Sequence, residues 1–264
     1  MSNFQEIIKE ICDENNIKFE LISKNWIIKL EKNNLIRYIV GMRFPLNDYA
    51  SAFICNDKYA TYEALTNAKI PIVEHKLIYN KKFIKKEISD LESEAEIEKY
   101  VKKYDRVVVK DNMGTEGINV FLCNNTEDVL DALSKIFELR QTAVISPFLK
   151  IANEYRCICI DDECKLVFEK IRQSGEWRHN LSNGAIAKIV YDEKIRGEVA
   201  QFALNVMRKL NLRFASVDLI RVNNEISVLE VNSGVCMSKF MRQVDDGRKI
   251  AKNIYCEAIK KMFE

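Results

Sequence analysis

Two acidic residues and an amide interrupt a run of strand-forming residues near the end of the chain. The two apolar segments and the polar turn between them are Ser216-Val217-Asp218-Leu219-Ile220, Asn223-Asn224 and Val228-Leu229-Glu230-Val231-Asn232. Such alternating apolar residues predict a half-buried β-hairpin. A carboxylate in such a hairpin is costly unless a partner compensates its charge. This pattern therefore constrains both the fold and the chemistry of the chain.

The register of the hairpin decides what the acids can do. With a three-residue turn, Asp218 lies opposite Glu230, and Asn232 follows one step further along the same face. With a two-residue turn, the two acids project from opposite faces. Two carboxylates and an amide on one face suit Mg²⁺, which completes its coordination with phosphates and water. The alternative for Asp218 alone is an ordinary salt bridge at a strand end.

The composition indicates a folded protein with mixed charges. The 264 residues are 47% hydrophobic and 30% charged, and 41 Lys and Arg against 39 Asp and Glu give a net charge of +2. Such a chain can bury one large domain or two small lobes. Charges of both signs are interspersed, so no nucleic-acid partner is indicated. The short basic stretch at 81–86 is interpreted as a solvated loop before an acidic helix start.

The cysteines do not form a metal-binding pattern. Eight are scattered without a CxxC pair, and the chain has two histidines, which argues against a zinc site. Cys157 and Cys159 have strand spacing in an apolar run and are predicted core residues. No apolar run reaches the roughly 20 residues that a membrane helix needs. Free thiols without a signal-peptide profile predict a cytoplasmic protein.

Hydrophobic periodicity predicts helices interleaved with antiparallel strands, an α+β architecture of two facing lobes. Helices are predicted at 3–15, 57–68, 91–104, 126–139, 192–210 and 245–262. Strands are predicted at 17–22, 26–30, 35–40, 106–110, 118–123, 142–146, 154–161 and 164–172, besides the acidic hairpin. The segment 173–187 is predicted to be irregular.

A glycine-containing loop, 111–117, follows the buried strand that ends in Lys110 and reads DNMGTEG. Glycine lets a backbone close over a ligand with its N–H groups exposed, and a lysine supplies a point charge for phosphate oxygens. The loop is neither a Walker loop nor a dinucleotide fingerprint. An ordinary hairpin loop is the alternative interpretation.

A second polar segment, 172–180, reads RQSGEWRHN and carries two arginines, whose planar guanidinium groups suit carboxylates and phosphates. The alternative here is a solvated loop. His179 is expected to make a local hydrogen bond rather than to act as a base.

In chain order these features resemble the ATP-grasp superfamily, specifically its RimK-like and glutathione-synthetase-like carboxylate–amine ligases. The resemblance covers about residues 50–264. It rests on Asn56-Asp57-Lys58, Ile70-Pro71, Val109-Lys110 with the glycine loop, Ser146-Pro147-Phe148-Leu149, Glu154-Tyr155-Arg156, Trp177-Arg178-His179-Asn180, Val217-Asp218 and Leu229-Glu230-Val231-Asn232. The 12-residue step from Asp218 to Glu230 and the triplet at 230–232 are its most specific parts.

The resemblance implies a fold in which two α+β lobes clamp ATP. The implied domains are a reduced N-terminal region, 1–55, and an ATP-grasp domain, 56–264, with a central lobe at about 70–147 and a C-terminal lobe at about 148–264. Departures from the family pattern are the short segment before Asn56, Asn119 in place of a loop glycine, and Ser146 in place of an acidic or amide residue.

The resemblance also implies site residues. Those expected to contact ATP are Lys58, Lys110, Gly114, Thr115, Gly117, Ser146, Phe148, Leu149, Glu154 and Arg156. Among these, the two lysines and the loop hold phosphates, the backbone near Phe148 and Leu149 contacts adenine, and Glu154 contacts ribose. The residues expected to hold two Mg²⁺ ions, with Mn²⁺ as a substitute, are Asp218, Glu230 and Asn232. Those expected to face the transferred phosphate are Arg172, Arg178 and Asn180.

The implied reaction is ATP-dependent formation of an amide bond through an acyl phosphate, on an amino acid, peptide or small acid. Positioning and electrostatics supply most of the catalysis in such a reaction, and no protein nucleophile is needed. Two alternatives remain open: an enzyme that modifies a ribosomal peptide or a protein tail, and an ATP-binding regulatory protein without turnover. A homodimer formed through the hairpin at 26–40 is a further hypothesis, which sedimentation would test.

Overall fold

The computed structural model describes residues 1–83 and 94–264, which divide into two compact units. The helices are α1 (Asn3–Glu14), α2 (Tyr49–Ile54), α3 (Lys58–Asn67), α4 (Glu94–Tyr104), α5 (Thr126–Phe137), α6 (Glu193–Lys209), α7 (Ser238–Gln243) and α8 (Gly247–Met262). The strands are β1 (Lys18–Ile22), β2 (Ile27–Lys32), β3 (Leu35–Val40), β4 (Lys76–Tyr79), β5 (Val107–Asp111), β6 (Val120–Cys123), β7 (Thr142–Pro147), β8 (Asn153–Ile160), β9 (Glu163–Ile171), β10 (Ile186–Ile189), β11 (Phe214–Val222) and β12 (Glu225–Asn232).

The elements predicted from periodicity are confirmed to within a few residues, and so is the α+β class. The predicted helix at 91–104 is observed from Glu94, because residues 91–93 lie outside the described ranges. The same holds for most of the basic stretch at 81–86, of which only the first three residues are described, as a short 3-10 turn. Helix α2, strand β4, helix α7 and strand β10 are absent from the prediction. Each has only four to six residues, and periodicity is a weak signal at that length, although several strands equally short were predicted.

The first unit contains Met1–Phe53, Asn153–Leu219 and Glu230–Glu264. The predicted N-terminal region therefore shares this unit with the predicted C-terminal lobe. Its small sheet has the order β1-β2-β3, and the larger sheet has the order β10-β9-β8-β11-β12. Four aromatic rings from distant parts of the sequence pack in its core, with centroids 5.0 to 6.1 Å apart: Phe4, Phe44, Phe214 and Tyr255.

The second unit contains Ile54–Ala152 and Ile220–Leu229. Its antiparallel sheet has the order β4-β7-β5-β6. Apolar residues of α4 and α5 pack with those of the sheet, and Asn125 caps the start of α5 by accepting a hydrogen bond from the Asp128 N–H. Strand β5 is buried along its apolar residues and ends in Lys110 and Asp111, where the glycine loop begins.

The hairpin of β11 and β12 turns over two residues, Asn223 and Asn224. Their φ angles of +50° and +66° are typical of a type I′ turn, which asparagine tolerates. The three-residue alternative, which places Asp218 directly opposite Glu230, is therefore wrong. In a regular ladder, the two-residue turn puts the two acids on opposite faces.

None of the helices in residues 1–83 and 94–264 is long and apolar enough to cross a membrane.

Candidate functional site

Asp218 lies in the middle of β11, with 2% of its surface exposed. The Arg156 guanidinium on β8 makes two hydrogen bonds to it, from Nε to Oδ1 at 2.7 Å and from Nη2 to Oδ2 at 2.6 Å. Burial alone would raise the pKa of Asp218, but Arg156 and Lys170 hold it well below its usual range. The salt-bridge alternative for Asp218 thus describes its contacts in this structure, and the carboxylate is kept charged.

Lys170, on β9, is the second cation at Asp218. Its Nζ donates to Asp218 Oδ2 at 2.8 Å and also to Glu154 Oε1. This lysine was not predicted from the sequence, although a charged residue within an apolar strand is the same signal that identified Asp218. Glu154, Arg156, Lys170 and Asp218 form one buried ion-pair group, which we call the carboxylate cluster. Two of its members, Glu154 and Arg156, are predicted nucleotide contacts.

Glu230 and Asn232 lie on β12, both half-buried. Burial would lower the pKa of Arg156, but Asp218, Glu230 and Glu154 together raise it, so Glu230 acts on the same guanidinium as the carboxylate cluster. A regular two-residue hairpin would place Asp218 and Glu230 on opposite faces, but the charges of both act on the Arg156 guanidinium, so the two carboxylates lie near one group. Carboxylate and amide oxygens are hard donors of the kind that bind Mg²⁺ together with phosphates. Within the described ranges, no group of three or more His, Cys, Asp or Glu side chains is arranged to hold a metal ion.

The two predicted arginines of the polar segment meet at Glu176. Arg178 makes hydrogen bonds to both carboxylate oxygens of Glu176, at 3.1 and 2.9 Å, and Arg172 Nη1 donates to the Glu176 carbonyl at 3.0 Å. The Arg178 side chain lowers the pKa of Glu176 to about 2. Glu176 was not selected from the sequence, although an acid two residues before a candidate anion-binding arginine is a readable signal.

Asn180 is not brought into this ion pair. Its Oδ1 accepts from the Ser182 N–H at 2.9 Å, which caps the short 3-10 turn Leu181–Asn183. His179 makes the expected local contact, since its Nδ1 lies 3.0 Å from the Lys170 carbonyl. A carbonyl can only accept, so Nδ1 carries the proton.

In the second unit, Lys58 contacts the glycine loop, which we define as Asp111 to Gly117. Its Nζ donates to the Gly114 carbonyl at 2.6 Å. Asn112, which is fully buried, ties the loop to the start of α3: its Oδ1 accepts from the Tyr59 N–H at 3.0 Å, and its Nδ2 donates to the N-cap Asp57 at 2.8 Å. The structure therefore brings Lys58 and the glycine loop together, and both were predicted to contact phosphates. Asn112, which holds the loop to α3, was not among the predicted contacts.

The first half of the loop has a fixed conformation. Asp111 is buried, receives Arg140 Nε at 2.8 Å and accepts from the Met113 N–H at 3.0 Å. A Cβ at Gly114 would lie 2.8 Å from the Asp111 Cβ, so this position requires glycine. In the second half, Thr115 accepts from the Ile118 N–H at 3.2 Å, and Gly117 has a φ of +75°.

His75 lies close to the two predicted phosphate lysines. It is 4% exposed, its Nδ1 is 2.8 Å from the Val73 carbonyl, and its Nε2 has no hydrogen-bond partner. Burial, then the charge of Lys110 and less strongly that of Lys58, lowers its pKa to about 3. The sequence around His75 does not predict a functional role, because a single histidine after an extended segment is common.

The predicted adenine-binding segment follows β7. The Ser146 hydroxyl is buried and donates to the Val108 carbonyl at 3.4 Å. The Phe148 N–H donates to the Arg106 carbonyl at 3.0 Å, and the Leu149 carbonyl accepts from the Ile151 N–H at 3.0 Å. These backbone contacts fix the segment, while its contact with adenine stays a prediction.

Replacing Asn112 by Ala is expected to lower the free energy of unfolding by about 1–3 kcal/mol, because the Tyr59 N–H and the Asp57 carboxylate each lose a buried partner. Urea unfolding would measure the change. Asn124→Ala removes an exposed amide and serves as the control, with an expected change within about 0.5 kcal/mol. Equal small changes in the two variants would contradict the anchoring role of Asn112.

The family model described as the RimK-like ATP-grasp domain matches residues 55–256. A probable alpha-L-glutamate ligase of Pseudomonas entomophila (strain L48) is 30% identical over 129 residues, which are 48% of this chain and 42% of the relative. A probable alpha-L-glutamate ligase 1 of Hahella chejuensis (strain KCTC 2396) is 30% identical over 160 residues, 60% of this chain and 51% of the relative. The chain thus spans about half the length of the curated relatives it matches.

The fold is also that of solved ATP-grasp ligases. The D-alanine–D-alanine ligase of Bacillus anthracis superimposes with a TM-score of 0.62 at 17% identity, over 82% of this chain and 69% of that chain. At this identity the likeness concerns the fold. The family match covers most of the chain and includes the carboxylate cluster, the glycine loop and the arginine segment. The chain therefore belongs to the RimK-like ATP-grasp family.

Proposed function

We propose that this chain is an ATP- and Mg²⁺-dependent ligase that joins a carboxylate to an amine. The carboxylate oxygen attacks the γ-phosphorus of ATP, the bond to the bridging oxygen breaks, and ADP leaves. The amine nitrogen then attacks the acyl carbon, phosphate departs, and the nitrogen loses a proton. The relatives named as probable alpha-L-glutamate ligases make L-glutamate the first substrate to test.

The observation that carries this proposal is the carboxylate cluster with Glu230 beside it. Burying charged groups is costly, and apolar residues of similar volume often replace such ion pairs without loss of stability. Retaining charge at buried positions is typical of functional sites. Asp218, Glu230 and Asn232 are the proposed Mg²⁺ ligands, and a bound Mg²⁺ ion would neutralise charge on the ATP phosphates.

The remaining residues have proposed roles in binding and orientation. Lys58 and Lys110, with the loop residues Gly114, Thr115 and Gly117, are proposed to contact the phosphates. Arg178, assisted by Arg172, is proposed to bind the transferred phosphate or the substrate carboxylate. Glu176 supports this role, because its carboxylate already accepts hydrogen bonds from Nε and Nη2 of Arg178. A substrate carboxylate would take the place of the Glu176 carboxylate at Arg178.

ADP release in the presence of Mg²⁺ would test the proposal. The assay combines ATP with L-glutamate, other amino acids, dipeptides and small acids, alone and in pairs. We expect release only when both a carboxylate and an amine substrate are present, and none when EDTA removes the metal. ATP binding without release for any pair would contradict a small-molecule ligase and favour a peptide or protein acceptor. A lack of ATP binding would contradict the proposal as a whole.

A further inference from the structure

Three cysteine side chains meet near the turn that joins β8 and β9. Cys157 and Cys159 are fully buried on β8, and Cys164 is half-buried on β9. The sulfur of Cys164 accepts hydrogen bonds from the thiols of the other two residues. All eight cysteines of the chain lie in the described ranges and are free thiols. We call Cys157, Cys159 and Cys164 the thiol cluster.

The strand register distinguishes one pair within the thiol cluster. Cys159 and Cys164 face each other directly across the antiparallel ladder, whereas Cys157 faces Val167. Directly opposed residues in an antiparallel pair have Cα atoms about 4.5 to 5.5 Å apart, within the range of roughly 4.4 to 6.8 Å that a disulfide spans. The backbone at Cys159 and Cys164 therefore meets the requirement for a disulfide as it stands.

Cys164 is the member of the thiol cluster that a small oxidant reaches from solvent. It is half-buried, and the ladder between β9 and β10 runs from Phe168 to Ile171, so Cys164 lies outside the paired part of this strand edge. Hydrogen bonds from Cys157 and then Cys159 lower the pKa of Cys164 from its usual value, against the effect of its burial. The thiolate is the form of cysteine that attacks peroxides.

Helix α6 lies against the thiol cluster and adds to this reactivity. The Sγ atom of Cys157 lies 3.7 Å from the carbonyl oxygen of Val199 on α6. Arg196, one turn earlier on the same helix, also lowers the pKa of Cys164 through its positive charge. The thiol cluster thus combines a thiolate with a directly opposed second thiol, which is the arrangement that converts an oxidised cysteine into a disulfide.

We propose that Cys159 and Cys164 are a modification site that forms a disulfide on exposure to hydrogen peroxide. The Cys164 sulfur attacks one peroxide oxygen, the O–O bond breaks, and hydroxide leaves, which gives a sulfenic acid at Cys164. The Cys159 sulfur then attacks the Cys164 sulfur, the S–O bond breaks, and a second hydroxide leaves. Both hydroxides take up the protons that the two thiols lose. Two thiols are thereby oxidised to one disulfide, and one peroxide is reduced to two water molecules.

Mapping the thiols of the peroxide-treated protein would test the proposal. Catalase removes the peroxide, the protein is unfolded in acid, and the remaining thiols are alkylated with N-ethylmaleimide. We expect the thiol count to fall from eight to six. Cleavage before Asp161 should release two peptides that stay linked, one with Cys159 and one with Cys164, and Cys157 should be alkylated. Cys236, which is half-buried outside the thiol cluster, is the internal control and should also be alkylated.

Two matched variants separate the proposed site from general oxidation. Cys164→Ser should keep all seven of its thiols, whereas Cys236→Ser should fall from seven thiols to five. The measurement on the unchanged protein decides the proposal even if a variant fails to fold. Eight remaining thiols, at a peroxide dose that oxidises free cysteine, would overturn the proposal. A disulfide from Cys164 to Cys157 or to a second chain would overturn it as well.

Discussion

Replacing Glu230 by Gln is expected to reduce Mg²⁺-dependent ADP release by about 150-fold or more. The change removes one of two proposed carboxylate ligands while it keeps the shape of the side chain. Charge stabilisation by a bound metal is worth several kcal/mol in the transition state, and a loss of about 3 kcal/mol corresponds to this factor. Release of ADP at saturating substrates and at increasing Mg²⁺ concentration would measure the effect.

Glu225→Gln provides the matched control for this variant. Glu225 is exposed at the start of the same strand, β12, and its substitution removes an equal charge from the chain. We expect its rate to stay within about twofold of the unchanged protein, since the exposed charge is screened by solvent. If the two variants lost activity equally, or if Glu230→Gln retained full activity, Glu230 would not be a metal ligand.

Replacing Asp218 by Asn is expected to lower the free energy of unfolding by about 3–5 kcal/mol. Removing one partner of a buried ion pair costs this much, because the remaining charge is left uncompensated. Here Arg156 and Lys170 would face each other with Glu154 as their remaining buried carboxylate partner. Urea unfolding of the nucleotide-free protein would measure the loss, which makes the test independent of catalysis.

Asp245→Asn is the control for Asp218→Asn, because Asp245 is exposed in the loop before α8. Its expected change is within about 0.5 kcal/mol. A stability loss below about 1 kcal/mol in Asp218→Asn would mean that water or a rearranged Glu154 satisfies the two cations. The carboxylate cluster would then not be the closed ion-pair group that the distances indicate.

The partners of the charged residues could not be predicted from the sequence. Asp218 and Arg156 were each selected, but their mutual ion pair joins positions 62 residues apart. Lys170 was not predicted, because lysine side chains are mostly exposed. Its place in the apolar strand β9 is the same kind of signal that identified Asp218. The turn at Asn223 and Asn224 likewise left two registers open, since asparagine suits either turn length.

The sequence by itself determined most of the helices and strands, the α+β class, the family and the residue types of the candidate site. These follow from local periodicity and from short motifs in a fixed order, which depend on neighbours along the chain. The tertiary structure decided the two-residue turn, the grouping of the N-terminal region with the C-terminal lobe, and the place of Lys170 beside Asp218. Ion pairs and strand register depend on which distant segments meet, and packing of the whole chain sets those contacts.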